Sequence, residues 1–256
     1  MAIALVIEND PLHDARRLGR WLTEADLELH VLRPYAGDEL PAELTGYDAL
    51  VVLPGVQSVN PAPGGALDAP WLPAVEGLLR KAVRNRTATL AIGLGAQLLA
   101  TAHAGFVEPA AAGPQIGPGL VGKRDAADDD PLFRVVPLMP DVLQWHCDEI
   151  TELPQKATLL AAGTRVANQA FRMGDRAWGL IFHIECDPAM IAEWASADSA
   201  LLDRLDYDPD LVTEVCAAAL GDIEEAWQPF AARFAELARG ELADGSPRRN
   251  LPLLGQ

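Results

Sequence analysis

The stretch Ala88-Thr89-Leu90-Ala91-Ile92-Gly93-Leu94-Gly95-Ala96-Gln97 decides the fold. Ala88–Ile92 carries no charge and reads as a buried strand. Leu94–Ala104 reads as a helix. Gly93 alone separates the two, so strand must pass into helix through one sharp turn with small residues on both sides. That is the geometry of a nucleophile elbow, in which one side chain is lifted above a sheet. The position that should carry Ser or Cys is Gly93, which has no side chain. Taken locally, an ordinary tight turn accounts for the glycine as well, so the rest of the chain must decide.

Outward from this turn, strand and helix signals alternate. Ala2–Ile7 is a compact apolar run. Leu12–Glu24 has helical spacing, with Leu12, Ala15, Leu18, Trp21 and Leu22 on one face. Leu27–Leu32 alternates as a strand, and Ala49–Leu53 is a buried strand ending in Pro54-Gly55. Trp71–Val83, preceded by Asp68, is an amphipathic helix. This order predicts an α/β domain with a mostly parallel sheet and helices on both faces. The middle, 106–182, is strand-rich: Val142–Trp145, Thr158–Ala162, Gln169–Arg172 and Trp178–Phe182 lie between Gly, Pro and Asp turns. Pro188–Ala197 is a helix capped by Asp187. Residues 198–240 read as helices interrupted at Gly221 and Pro229, and 245–256 as a flexible tail.

Composition narrows the function. A chain of 256 residues with 50% hydrophobic content can bury a full core. A net charge of −17, with only short basic clusters such as Arg80-Lys81 and Arg248-Arg249, argues against a nucleic-acid partner. No apolar stretch approaches the roughly 18–20 residues of a membrane helix. Met1–Ile7 is short and followed by Glu8 and Asp10, so it reads as a first strand and not a signal peptide. The three cysteines, Cys147, Cys186 and Cys216, form no disulfide framework, and no metal-ligand spacing is present. A cytoplasmic protein without cofactor or metal is the expectation.

In open α/β sheets, ligands sit at the carboxyl ends of strands. Four informative segments end strands: Pro54-Gly55-Val56-Gln57-Ser58, the Gly93 turn, Gln144-Trp145-His146-Cys147-Asp148, and Phe182-His183-Ile184-Glu185. In an extended segment residues i and i+2 share a face, so Glu185 can orient the imidazole of His183 as a base.

Over residues 1–195 this order of motifs resembles the class I glutamine amidotransferases, which are Cys-His-Glu glutaminases, and above all their stand-alone, GMP-synthase-like members. The matching pieces are Asp48–Leu53, Pro70-Trp71-Leu72-Pro73, Gly93–Ala100, Val142–Asp148, Asn168–Arg172 and Trp178–Trp194. The resemblance implies a flavodoxin-like three-layer sandwich over 1–197 and a C-terminal helical extension over 198–244. It puts Gly93 where the nucleophilic Cys should stand, His183 as general base and Glu185 as its partner. It gives the backbone N–H groups of Gly55 and Leu94 to an oxyanion hole, Gln97 to the glutamine pocket, and Gln144, Trp145 and His146 to the edge that holds the substrate. Glutamine or another γ-glutamyl small molecule is the implied ligand. An ammonia acceptor or synthetase would be a separate chain, and a homo-oligomer is compatible with the pattern.

The departures cluster around one pocket. Gly93 removes the thiol, Pro54 replaces the usual first Gly of its loop, and Val56 its usual Pro. Ala91 replaces a Gly, Ile181 stands where many relatives have Gln, and Ile184 replaces the Pro of His-Pro-Glu. Together they point to a pseudoenzyme. A hydrolase using His183-activated water and an engineered Cys-to-Gly form of an active enzyme are the alternatives. His183-Ile184-Glu185 also has a purely structural reading as a hydrogen-bonded pair. Cys186 reads as an inert buried thiol, Cys147 as passive at the pocket rim, and Trp145 and Trp178 as core. Asp128-Asp129-Asp130 reads as a solvated loop, and the helices beyond 198 as packing or subunit contact without chemistry.

Overall fold

The computed structural model describes residues 1–60 and 69–242. Strands β1 (Ala2–Ile7), β2 (Leu27–Leu32), β3 (Ala49–Val52) and β4 (Ala88–Ile92) alternate with helices α1 (Arg16–Glu24) and α2 (Leu72–Asn85), and α3 (Leu94–Thr101) follows β4. Next come β5 (Phe106–Pro109), β6 (Gln115–Leu120), β7 (Gly122–Lys123), β8 (Asp141–His146), β9 (Asp148–Glu152), β10 (Ala157–Ala162), β11 (Ala170–Met173) and β12 (Ala177–Leu180). Helices α4 (Pro188–Ala197), α5 (Ser199–Arg204) and α6 (Pro209–Ala238) close the described chain. No helix among the described residues is long and apolar enough to cross a membrane.

Eight strands form the central sheet in the order β2-β1-β3-β4-β12-β11-β10-β7. β2, β1, β3, β4 and β12 run parallel, and β11, β10 and β7 continue antiparallel. Both faces of the parallel part are buried, as the unbroken apolar runs require. Ala4 and Val6 of β1, Val51 of β3 and Leu90 and Ile92 of β4 pack with α1, α4 and α6 on one face. Leu5, Ile7, Leu50, Val52 and Ala91 pack with α2 and α3 on the other. The period-2 alternation of strands thus builds a three-layer sandwich. β5 pairs with β9 and β6 with β8 as separate two-stranded ribbons.

Three readings need correction. α1 starts at Arg16 and not at Leu12. Asp10 Oδ1 takes the Leu12 N–H at 2.9 Å and Asp14 Oδ1 takes the Arg16 N–H at 3.1 Å, so local side chains satisfy donors that a helix would have used. α6 runs thirty residues straight through Gly221 and Pro229. Pro229 sits on the exposed side while Trp227, Phe230 and Phe234 are fully buried beside it. The burial of three aromatic rings outweighs one missing backbone bond. Asp130 is not solvated. Only 1% exposed, it accepts from the Leu132 and Phe133 N–H groups, the Trp178 indole and Arg172. The expected tail, 245–256, and the Asp68 start of the second helix lie outside the described residues.

Candidate active site

The parallel strands deliver the functional segments to one edge. The order β2-β1-β3 reverses the winding between β1 and β3, and a crevice opens at the carboxyl ends there. A cavity of about 360 Å³ occupies this position. Gly55, Gly93, Leu94, Gln97, His146 and His183 all line it. Residues from β3, β4, β8 and β12 therefore meet, although the sequence separates them widely.

Gly93 has φ 56° and ψ −117°, outside the regions that L-residues ordinarily occupy. Its N–H donates to the Leu180 carbonyl at 2.8 Å, and its carbonyl takes the N–H groups of Ala96 and Gln97 at 3.0 and 3.1 Å. The turn is thus fixed at both ends by backbone. A Cβ at residue 93 would lie 3.3 Å from His183 Cε1, 3.0 Å from Pro54 Cβ and 3.2 Å from Pro54 Cγ. A side chain there would point at the imidazole, and the proline ring would crowd it. Gly95 is small for a different reason: a Cβ would fall 2.3 Å from the Val52 carbonyl oxygen, so α3 can lie this close to β3 only with glycine there. Leu94 opens α3, where the first N–H groups have no intrahelical partner.

The opposite wall carries His183. Its backbone pairs with Leu143, the His183 N–H donating to Leu143 O at 2.8 Å. Nδ1 donates to Glu185 Oε1 at 2.7 Å, and Nε2 lies 3.3 Å from the Trp145 carbonyl. Glu185 is fully buried, and its Oε2 takes the Ile184 N–H at 2.9 Å. The Trp194 ring packs edge-on against His183, centroids 4.8 Å apart. The pair is therefore rigid, apolar-walled and aimed at residue 93.

His146 is held by a chain of amides. The Val166 carbonyl fixes the Gln169 amide, whose Oε1 takes Gln144 Nε2 at 2.9 Å. Gln144 Oε1 in turn faces His146 Nε2 at 2.9 Å, while His146 Nδ1 faces the Asp148 carbonyl at 2.9 Å. Burial pushes the His146 pKa down to about 4 against the opposing Asp148 carbonyl, and nearby His183 adds to the depression. Gln144 itself lies behind His146 and lines a smaller cavity of about 220 Å³. Trp145 is half-buried, and its indole donates to Asp198 at 2.7 Å. Ile181 is fully buried on the α2/α3 face of the sheet.

Cys186 is buried, and desolvation together with Glu185 pushes its thiol well up. Cys147 lies at the rim, where burial and the neighbouring Asp148 and Asp198 raise its thiol as well. Both are poor nucleophiles. His183, Glu185 and Cys186 bring ligand-type atoms within 4.8 Å of one another, but the short His–Glu bond already uses Nδ1 and Oε1.

Four contributors escape the sequence reading. Asn9, fully buried after β1, donates to the Leu53 carbonyl at 2.8 Å, accepts from the Trp71 indole at 3.2 Å and takes Gln57 Nε2 on its own carbonyl, so it clamps the Pro54-Gly55 loop. His13 lines the cavity with Asp10 behind it. Asp198 and Leu201, beyond the expected domain boundary, also line it. The strand-end rule that picked out the other segments applies equally to Asn9-Asp10 after β1.

A mostly parallel α/β sheet, a positive-φ glycine turn after a central strand and a buried His–Glu pair across the cavity define an amidotransferase-type fold and site. Residues 15–190 match the family described as glutamine amidotransferase class-I, and the chain belongs to that family. It is 30% identical over 152 residues to a GMP synthase [glutamine-hydrolyzing] of Christiangramia forsetii, covering 59% of this chain and 27% of that protein. It is 27% identical over 168 residues to a glutamine amidotransferase-like protein of Salmonella typhimurium, covering 65% of this chain and 68% of the relative. Among solved structures, a glutamine amidotransferase of Thermotoga maritima superposes with a TM-score of 0.80 at 26% identity, over 92% of this chain and 98% of that one. The chain thus spans about a quarter of the GMP synthase that it matches.

Proposed function

We propose that this chain is a glutamine amidotransferase-like pseudoenzyme, a ligand- or partner-binding domain that does not hydrolyse glutamine. One observation carries the reading: the elbow residue is Gly93, so the position facing His183 holds no atom able to attack an amide. In this class the amide passes through a γ-glutamyl thioester, which needs the thiolate. Removing such a nucleophile lowers the rate about 10⁴–10⁶-fold. Pro54 supports the reading, because its ring occupies the space beside the missing side chain. In this reading Gly55 and Leu94 are the remnant oxyanion hole, and Gln97, Gln144, Trp145 and His146 hold glutamine or a γ-glutamyl relative. In this reading residues 1–197 are the amidotransferase-like unit and 198–244 its extension, with helices α5 and α6 in the described part.

Ammonia release from glutamine tests this. The Gly93 chain is expected to be inactive. Gly93→Cys alone is expected to gain little, whereas Gly93→Cys with Pro54→Gly gains at least tenfold over the single variant. Turnover by the unaltered chain at an ordinary enzymatic rate, abolished by His183→Ala, overturns the reading. That outcome would favour a hydrolase that activates water at His183, the alternative supported by the retained 2.7 Å His183–Glu185 bond.

A further inference from the structure

The cavity holds a second imidazole–carboxylate pair. His13 Nδ1 lies 3.0 Å from Asp10 Oδ1, and both side chains are about nine-tenths buried. Asp10 is pushed up by burial, but the His13 hydrogen bond and the Leu12 N–H outweigh this and hold its carboxyl below the usual range. An ionised carboxylate only accepts, so the proton between them sits on His13 Nδ1. The ring stacks on Trp194 at 4.8 Å and 25°, and the same indole meets His183 edge-on on its own side. Trp194 is itself fixed by its indole N–H on the Leu12 carbonyl at 2.8 Å.

We infer that His13 is the open acid–base residue of this cavity, its Nε2 accepting an N–H of a bound amide or amine while Asp10 fixes its tautomer. The contrast with the other cavity imidazoles carries the point. Protein oxygens cover both His146 nitrogens at 2.9 Å, of which a neutral ring can donate to one, and His183 has Nδ1 on Glu185 and Nε2 covered by the Trp145 carbonyl at 3.3 Å. His13 Nε2 has no protein partner among the described residues, and His13 is among the residues lining the cavity. A neutral Nδ1–H imidazole presents a lone pair at Nε2, which suits a donor on the ligand. The ligand class rests on the reading of the cavity as a glutamine-type pocket; the openness of His13 does not.

Two measurements separate these. Ethoxycarbonylation by diethyl pyrocarbonate at pH 7, followed by peptide mass spectrometry on the full chain, needs no ligand. His13 is expected to react at least threefold faster than His146 and His183, and Asp10→Asn to change the His13 rate alone. A His13 rate no greater than that of His183 overturns the inference. Calorimetric titration with L-glutamine then reads the ligand. His13→Gln is expected to weaken binding at least tenfold and His30→Gln, on β2 away from the cavity, less than threefold. Glutamine binding that His13→Gln leaves unchanged overturns the inference with the pocket reading intact. Absence of glutamine binding with a fast His13 overturns the ligand class and leaves the open imidazole standing.

Discussion

The turn after β4 and the turn after β12 face each other across the cavity, and they carry different things. The β12 side retains a full set of partners: His183 on Glu185, Glu185 on the Ile184 N–H, and the His183 backbone on Leu143. The β4 side retains only its backbone, with Gly93 hydrogen-bonded at both ends and no side chain to act. The difference follows from burial. A buried His–Glu pair is locked, since removing either member orphans the other at about 1–3 kcal/mol per group. A side chain at a positive-φ elbow stores strain of about 1–3 kcal/mol, which glycine at 93 avoids.

The largest expected effect strikes the support of the His183 wall. Asp130 anchors Trp178 of β12 and pairs with Arg172 of β11 in the interior. Asp130→Ala is expected to destabilise the chain by about 3–5 kcal/mol, because it leaves three N–H donors without their acceptor and takes the carboxylate from Arg172, whose side chain is 22% exposed. Urea unfolding measures this, and a loss under 1 kcal/mol would mean that the wall does not depend on that carboxylate.

The second effect is a pH dependence on the same side. Folded His146 stays neutral to about pH 4, whereas an unfolded histidine takes up its proton near pH 6.5. The unfolded state binds more protons in that window, so stability falls as pH drops from about 6.5 toward 4, by up to about 3 kcal/mol. His146→Gln should flatten most of that slope in unfolding curves at pH 7 and pH 5. An unchanged slope assigns the pH dependence to other groups.

On the β4 side, Gly93→Cys is expected to destabilise by about 1–3 kcal/mol through backbone strain. Part of the loss comes from Pro54. In a double-mutant cycle with Pro54→Gly, the Gly93→Cys penalty should shrink by at least about 0.5 kcal/mol. Strict additivity would separate the proline from the Gly93 turn.

The smallest effect lies at α4, the helix that carries Trp194 against His183. Asp187 Oδ1 caps it through the Met190 N–H at 2.8 Å. Asp187→Ala should lower stability by about 1 kcal/mol, read as a modest shift of the urea midpoint. A shift several times larger would show that Trp194 transmits this cap to the His183 wall.

Much of the fold was legible because its signals are local. The apolar runs Ala2–Ile7, Ala49–Leu53 and Ala88–Ile92 became parallel strands, the second ending at Val52, and the Asp187-Pro188 start of α4 held to the residue. The misreadings arose where a tertiary contact outweighed a local preference. Gly221 and Pro229 do not break α6, since Trp227, Phe230 and Phe234 bury themselves on the sheet. Asp130 looked solvated within an acidic triplet, yet the partners that pull it inside lie on β11 and β12, some forty residues away.

The amino-acid order alone determined the parallel sheet, the glycine at the elbow and the His–x–Glu spacing, because periodicity and i,i+2 geometry act over a few residues. Tertiary packing alone decided that Pro54 crowds the space beside Gly93, that Asn9 clamps the facing loop and that His13 and Asp198 complete the cavity wall. Those contacts join strand ends that become neighbours only after the sheet has formed, and no local pattern along the chain encodes such a distance.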